Sequence, residues 1–178
     1  MIQYPQKLIF LVFILLGAAC KEISFREPQP VNKKALSGIP KKLQGRYLLI
    51  DENGVDSDTL LVTSIGYGIG NNVKHEVHLS DTLILKHFRG YYFLNIKQEQ
   101  EWYLRVLQKD TNGNLLYMTM ENENNNFNDY LKNLSLQVKI DSLKSNDRTL
   151  YQINPTPKEL ISLIKNNMFK KITLKKIN

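Results

Sequence analysis

The chain contains one cysteine, Cys20, and three histidines among its 178 residues. A lone cysteine forms no internal disulfide, so the fold must be stabilised by packing. No Gly-x-Ser-x-Gly motif occurs, and no Ser, His and Asp form a recognisable set, so the sequence nominates no catalytic residue and no cofactor. No apolar run reaches the roughly 20 residues that a membrane-spanning helix needs. These absences favour a binding or interaction protein over an enzyme.

The first residues have the composition of an export signal. The positively charged Lys7 precedes a continuously apolar run from Leu8 to Leu16, and the small residues 17–19 follow it. A positive zone, an apolar zone and small residues, in this order, are typical of a secretory signal peptide. We therefore expect a signal peptide over residues 1–19.

The single cysteine directly follows this segment. The stretch Leu16-Gly17-Ala18-Ala19-Cys20 resembles the lipobox of bacterial lipoproteins. The resemblance implies cleavage between Ala19 and Cys20 and lipidation of the Cys20 thiol. Because two or three long acyl chains hold a protein at a membrane almost irreversibly, we expect Cys20 to be a membrane anchor.

The two residues after the cysteine bear on location. Lipoproteins with a lysine at the position of Lys21 are typically sorted to the outer membrane, and Lys21-Glu22 resembles the surface-export signal of Bacteroidetes lipoproteins. The resemblance implies an outer-membrane, lipid-anchored protein of the cell envelope that faces the periplasm or the cell surface.

Composition divides the mature chain into two parts. Residues 20–40 contain three prolines and no sustained apolar period, which predicts a lipidated N-terminus followed by a flexible tether. Residues 41–178 have the length of one domain and are expected to form a single β-rich unit.

Short runs rich in β-branched and aromatic residues, separated by Gly, Asn and Asp, dominate this unit. They predict a mainly β fold: an antiparallel meander that forms a curved sheet or a barrel-like structure. Asn112-Gly113 predicts a hairpin turn. Thr156, Pro157 and Glu159 form the start signal of one C-terminal α-helix, a minor α+β component, and the stretch around Phe127 predicts a weaker second helix.

The candidate chemical motifs are weak. His75 and His78 point to opposite faces of the strand they imply, so we expect no metal site there. The glycines of the stretch 66–70 precede a charged strand rather than a helix, which predicts a bulged turn and not a phosphate loop. The lysines around Ile172 and Leu174 predict an edge strand protected by charge.

Three tripeptides resemble the Asp-Ser/Thr-aliphatic site of the O-glycosylation system of exported Bacteroidetes proteins. They place candidate glycosylation at Thr59, Thr82 and Ser142. Each of these residues follows an aspartate and precedes a leucine.

Charge and composition leave three functional interpretations. The net charge is +7, and loss of Lys7 with the signal peptide leaves one charge less, +6. In an exported protein this charge points to an anionic envelope component, an envelope protein or a glycan, and not to nucleic acid. The first interpretation is a binding or interaction module. The alternatives are an envelope hydrolase and a lipocalin-like carrier of a small apolar ligand, with aromatic lining candidates Tyr91, Tyr92, Phe93, Trp102 and Tyr103.

Overall fold

The computed structural model describes residues 21–49, 59–70, 76–122, 126–145 and 148–177. Thirteen strands and two α-helices lie in these ranges. The strands are β1 (Lys21–Phe25), β2 (Gly45–Leu49), β3 (Thr59–Val62), β4 (Gly66–Ile69), β5 (Glu76–His78), β6 (Leu83–Phe88), β7 (Tyr91–Gln98), β8 (Glu101–Lys109), β9 (Leu115–Thr119), β10 (Glu121–Asn122), β11 (Ile140–Ser145), β12 (Arg148–Ile153) and β13 (Lys170–Ile177). The helices are α1 (Phe127–Ser135) and α2 (Pro157–Lys165), and a 3-10 helix covers Lys41–Leu43.

The strands form one sheet from three antiparallel runs that follow chain order. The runs are β2 to β5, β6 to β9, and β11 with β12. Strand β13 pairs with both β9 and β2 and so joins the first two runs, while β1 lies between β8 and β12. Among the described residues no ladder joins β5 to β6. The predicted mainly β fold is confirmed, as a curved open sheet rather than a closed barrel.

The middle strands of this sheet are buried on both faces. One face packs beneath the two helices, and we call its buried residues the helix-side core. This core includes Phe93, Trp102, Leu104, Val106 and Met118 from the strands and Phe127, Leu134, Leu160, Leu163 and Ile164 from the helices. The opposite face lies inside the curve, and we call its buried residues the cavity-side core. It includes Leu43, Tyr47, Val62, Leu85, Tyr92, Leu94, Leu115 and Leu174.

Helix α2 begins where the sequence predicts. The Glu159 amide donates to Thr156 Oγ1 at 3.3 Å, and the Thr156 amide donates to Glu159 Oε2 at 2.8 Å. This capping box satisfies backbone donors that the first helical turn leaves without partners, and Pro157 occupies the first helical position. The predicted second helix is also confirmed, as α1.

The hairpin turn predicted at Asn112-Gly113 is confirmed between β8 and β9. Lys109 pairs with Leu115 across the turn, and Gly113 adopts a φ of 87° that favours glycine. The Asp110 carboxylate accepts hydrogen bonds from the amides of Asn112 and Asn114 and from the Asn114 side chain. The Asp110 side chain therefore holds this loop in place.

The prediction of a flexible tether over residues 20–40 is wrong from Lys21 onward. Ile23 and Phe25 are 0% exposed in the helix-side core, because β1 runs parallel to β12 and also contacts β8. Burying two large apolar side chains stabilises this segment by several kcal/mol, on the order of 2 kcal/mol each. The folded unit therefore includes residues that composition assigned to a linker.

The following stretch, residues 26–40, is held against the sheet by buried polar groups, and we call it the N-terminal segment. The Asn95 side chain accepts from the Gln29 amide at 2.6 Å and donates to the Gln29 carbonyl at 2.8 Å. The Lys86 ammonium donates to the carbonyls of Pro28 and Pro30. Burial lowers the pKa of the Lys86 amine, and the Glu27 carboxylate opposes that shift. Through these proline carbonyls the N-terminal segment packs against the sheet and is not a solvated chain.

Two further local predictions differ from the structure. The glycine-rich stretch predicted as a bulged turn contains strand β4, whose Gly66 lies so close to β5 that a Cβ would meet the Val77 carbonyl oxygen. The lysine-rich strand β13 is not at an edge, because it pairs with β9 and β2 along opposite sides. Its four lysines are exposed, while Leu174 points into the cavity-side core.

Candidate functional site

An apolar cavity of about 250 Å³ lies inside the curve of the sheet. Strands β3, β4, β6, β7, β8, β9 and β13 all contribute to its wall. The lining residues are Ile39, Leu43, Leu60, Val62, Tyr67, Ile69, Leu85, Leu94, Ile96, Arg105, Leu107, Leu115, Tyr117 and Leu174. A cavity of roughly 150 Å³ lined by similar side chains accepts benzene, so this one has room for about ten carbon atoms.

Alternation along the strands directs these side chains inward. Leu94 and Ile96 lie two residues apart on β7, and Leu94 is paired across the ladder with Arg105. Residues two apart on a strand share a face, so one side of β7 supplies the cavity while Phe93, directly before Leu94, points to the other side and supplies the helix-side core. The sequence of each strand therefore encodes both faces.

The N-terminal segment and the 3-10 helix close one end of the cavity. The Ile39 amide donates to the Ser64 carbonyl at 2.7 Å, which ties this segment to the turn between β3 and β4. The Tyr47 hydroxyl donates to the Leu43 carbonyl at 2.9 Å and holds Leu43 in the wall. At another point of the wall Ile69 is 59% exposed, so the cavity reaches the surface there.

Three polar side chains interrupt the apolar lining: Arg105, Tyr67 and Tyr117. Burial raises the pKa of the Tyr67 phenol, and the positive charge of Arg105 partly offsets this rise. Arg105 is the only charged side chain in the described wall. An otherwise apolar pocket with a few polar groups is the usual composition of a small-molecule site, in which those groups orient the ligand.

The predicted aromatic lining is wrong in its residues. Phe93 and Trp102 belong to the helix-side core, and Tyr91 packs against that core. Tyr92 is buried in the cavity-side core, but neither it nor Tyr103 belongs to the cavity wall. Phe93, Trp102 and Tyr91 thus fill the face under the helices, and mainly aliphatic residues form the wall. Inward alternation in β3, β4 and β8 was the signal that could have identified the wall.

The three candidate glycosylation residues lie in different environments. Thr59 begins β3 and is 5% exposed, so the folded chain does not present its hydroxyl to an enzyme. Thr82 and Ser142 are exposed, in the turn before β6 and on β11 respectively. Of the three, only Thr82 and Ser142 stay candidates on the folded protein.

The anchor and the histidines are only partly described. Ala19, Cys20 and His75 lie outside the described residues. The exposed His78 contacts Glu76 at 3.1 Å, and the His87 ring lies tilted against the Tyr92 ring with centroids 4.6 Å apart. Within the described ranges, no three His, Cys, Asp or Glu side chains are grouped to hold a metal ion. None of the helices in those ranges is long and apolar enough to cross a bilayer.

Comparison with known proteins yields no match: no protein-family model, no curated protein and no solved structure is significantly similar to this chain.

Proposed function

We propose that this protein is a lipid-anchored component of the bacterial cell envelope that binds a small apolar ligand in the cavity of its curved sheet. The single observation that supports ligand binding is the cavity of about 250 Å³, with its almost entirely apolar wall and an opening beside Ile69. Removing apolar ligand surface from water contributes roughly 25 cal/mol for each Å² buried. A ligand of about ten carbons is therefore expected to bind without any covalent chemistry.

The proposed location depends on the sequence around Cys20. Its lipobox supports a lipid on that thiol, and Lys21 supports sorting to the outer membrane. The mass of the protein isolated from its own membrane tests this part: a chain beginning at Cys20 and carrying acyl groups is expected. A chain that retains residues 1–19 would overturn the proposed anchor.

The polar groups of the wall suggest how a ligand is oriented. Arg105 carries five N–H donors, and its Nη1 donates to the Leu104 carbonyl at 3.3 Å. A guanidinium in an otherwise apolar wall favours a ligand with an oxygen atom that accepts a hydrogen bond. We therefore expect 1-naphthol to bind more tightly than naphthalene. The two have the same ten-carbon ring system, and only 1-naphthol carries an oxygen atom.

Naphthalene binding to paired variants tests the cavity proposal. Leu107→Trp places a larger side chain in the cavity wall, whereas Leu143→Trp makes the same change at a residue of β11 that is 45% exposed. Binding is measured by naphthalene fluorescence and by the rise in melting temperature, since a ligand that binds only the folded state stabilises it. We expect Leu107→Trp to weaken binding by at least an order of magnitude and Leu143→Trp to leave it unchanged.

Native and denaturing mass spectra of the host protein give the complementary test. A mass that is present natively and lost on denaturation identifies the physiological ligand. If wild-type protein binds neither naphthalene nor 1-naphthol, or if both tryptophan variants bind them equally well, the cavity is not the binding site and the proposal is wrong.

A further inference from the structure

One end of the curved sheet concentrates positive charge. Two stretches that lie side by side, residues 28–49 and 82–98, contain no acidic residue. The backbone joins them, because Ala35 bridges Lys86 and the Leu36 amide donates to the Leu85 carbonyl at 2.8 Å. Their cations therefore accumulate on neighbouring parts of the surface.

The strand registers bring further cations to the same end. The β6–β7 turn, the β8–β9 turn and the end of β13 lie together, since Tyr92 pairs with Leu107 and Leu115 pairs with Leu174. Ile177 then pairs with Arg46 at the start of β2. We call this surface the basic end; its cations are Lys33, Lys41, Lys42, Arg46, Arg89, Lys109, Lys175 and Lys176.

The basic end has almost no compensating negative charge. None of its cations forms an ion pair with a described residue, and its one described acid, Asp110, already accepts three hydrogen bonds within its own loop. Together these residues carry more positive charge than the whole mature chain, whose net charge is +6. The remainder of the protein is therefore close to neutral, and the charge is a local property of this end.

Apolar side chains project among these cations. Ile65, in the turn between β3 and β4, is 52% exposed. Phe88, at the end of β6, is partly exposed, with the Lys33 ammonium 4.7 Å and the Arg89 guanidinium 5.4 Å from its ring centroid. Exposed apolar groups surrounded by Lys and Arg are the composition of surfaces that bind the interface of an anionic bilayer. A soluble acidic polymer would be bound by the charge alone.

We propose that the basic end docks on the surface of an anionic lipid bilayer, with Ile65 inserted at the level of the head groups. This inference does not depend on ligand binding in the cavity. The lipid proposed on Cys20 would hold the protein at a membrane, and the basic end would determine how the domain lies on it. Each Lys or Arg near such a surface strengthens binding about fivefold.

Vesicle co-sedimentation tests this proposal. The protein used is the chain from residue 20 with Cys20→Ser, which retains every described strand and helix. It is mixed with vesicles of phosphatidylcholine alone or of phosphatidylcholine with phosphatidylglycerol. We expect binding only to the anionic vesicles, and binding that weakens as salt screens the charges.

Matched variants locate the surface. Lys41→Gln with Lys42→Gln removes two charges from the basic end, and Lys132→Gln with Lys158→Gln removes two exposed charges from α1 and α2. The first pair should weaken vesicle binding about twenty-five-fold, about fivefold for each charge, and the second pair should change it little. Thermal unfolding of all variants verifies that they fold.

Vesicle and heparin binding of Ile65→Ser distinguish whether the basic end binds a bilayer or an acidic polymer. We expect Ile65→Ser to weaken vesicle binding but not heparin binding. Equal losses in the two lysine pairs, equal binding to neutral and anionic vesicles, or no effect of Ile65→Ser on vesicle binding would each overturn the proposal. The last result, with tight heparin binding, would assign the basic end to an acidic glycan. Because Leu107→Trp leaves the basic end intact, its vesicle binding should be normal even where its naphthalene binding is lost.

Discussion

The two faces of strands β7 and β8 use the same backbone for different purposes. On one face Phe93, Leu104 and Val106 are 0 to 1% exposed and are covered by the two helices. On the other, Leu94 and Arg105 face a space that no side chain fills. Protein interiors normally pack as densely as organic crystals, so an unfilled apolar face sacrifices stability. The difference indicates that the helix-side core stabilises the fold, and it supports the proposal that the opposite face binds a ligand.

The composition of the faces agrees with this division. The helix-side core contains large aromatic residues and methionines, whose flexible or planar side chains fill irregular gaps between helices and sheet. The cavity wall contains mostly Leu, Ile and Val, which are too short to meet across the curve. Stability and ligand binding should therefore respond to different substitutions.

Truncation of the helix-side core should give the largest effect. Phe93 is 0% exposed, and Phe93→Ala leaves a cavity beneath the helices, so we expect a loss of about 3 to 5 kcal/mol in the free energy of unfolding. Urea unfolding followed by circular dichroism measures this loss. Leu143→Ala on exposed β11 serves as the control and should lose less than about 1 kcal/mol. A small loss for Phe93→Ala would contradict the division between the two faces.

Removal of the Asn95 side chain, on the same face of β7 as Phe93, should have the second largest effect on stability. Asn95 is fully buried and bonds both backbone groups of Gln29, so Asn95→Ala leaves a buried amide and a buried carbonyl without these partners. Each unsatisfied group costs roughly 1 to 3 kcal/mol. Hydrogen exchange at the Gln29 amide should accelerate more than exchange in α2. Unchanged protection at Gln29 would show that Asn95 does not hold the N-terminal segment.

Loss of the α2 cap should have a smaller effect on the helix-side core. Thr156→Ala removes the side-chain acceptor of the Glu159 amide, and we expect about 1 kcal/mol of destabilisation. Thr156→Ser retains a hydroxyl at the same position and should preserve most of the stability. Urea unfolding of the two variants distinguishes the cap from the loss of a methyl group. Equal destabilisation by both would argue against the capping box.

The features that the sequence predicted are those that depend on near neighbours. The cap of α2 needs only Thr156, Pro157 and Glu159, and the turn at Gly113 needs only its own loop. Strand β1 could not be identified in this way, because Ser24 bonds the carbonyl of Tyr151, a residue 127 positions away. The sequence does not reveal that partner, so the short length of β1 and the prolines after it predicted a tether.

The cavity depended on distant parts of the chain in the same way. Alternation in β7 and β8 predicts two distinct faces, but it does not reveal which face the helices cover. That choice follows from the packing of α1 and α2 against Phe93 and Trp102. Phe93 and Trp102 were therefore predicted to line a ligand site, although they belong to the helix-side core that stabilises the fold.

Leu107→Trp should have the smallest effect on stability and the largest effect on ligand binding. A bulkier side chain in a filled core costs about 1 to 3 kcal/mol because neighbours must move, but at Leu107 the added atoms enter existing empty space. We expect Leu107→Trp to change the free energy of unfolding by less than about 1 kcal/mol while it removes naphthalene binding. Urea unfolding and fluorescence titration of the same sample measure both quantities. A large loss of stability would show that the wall is packed as tightly as the helix-side core. The two faces would then differ in composition, but both would serve to stabilise the fold.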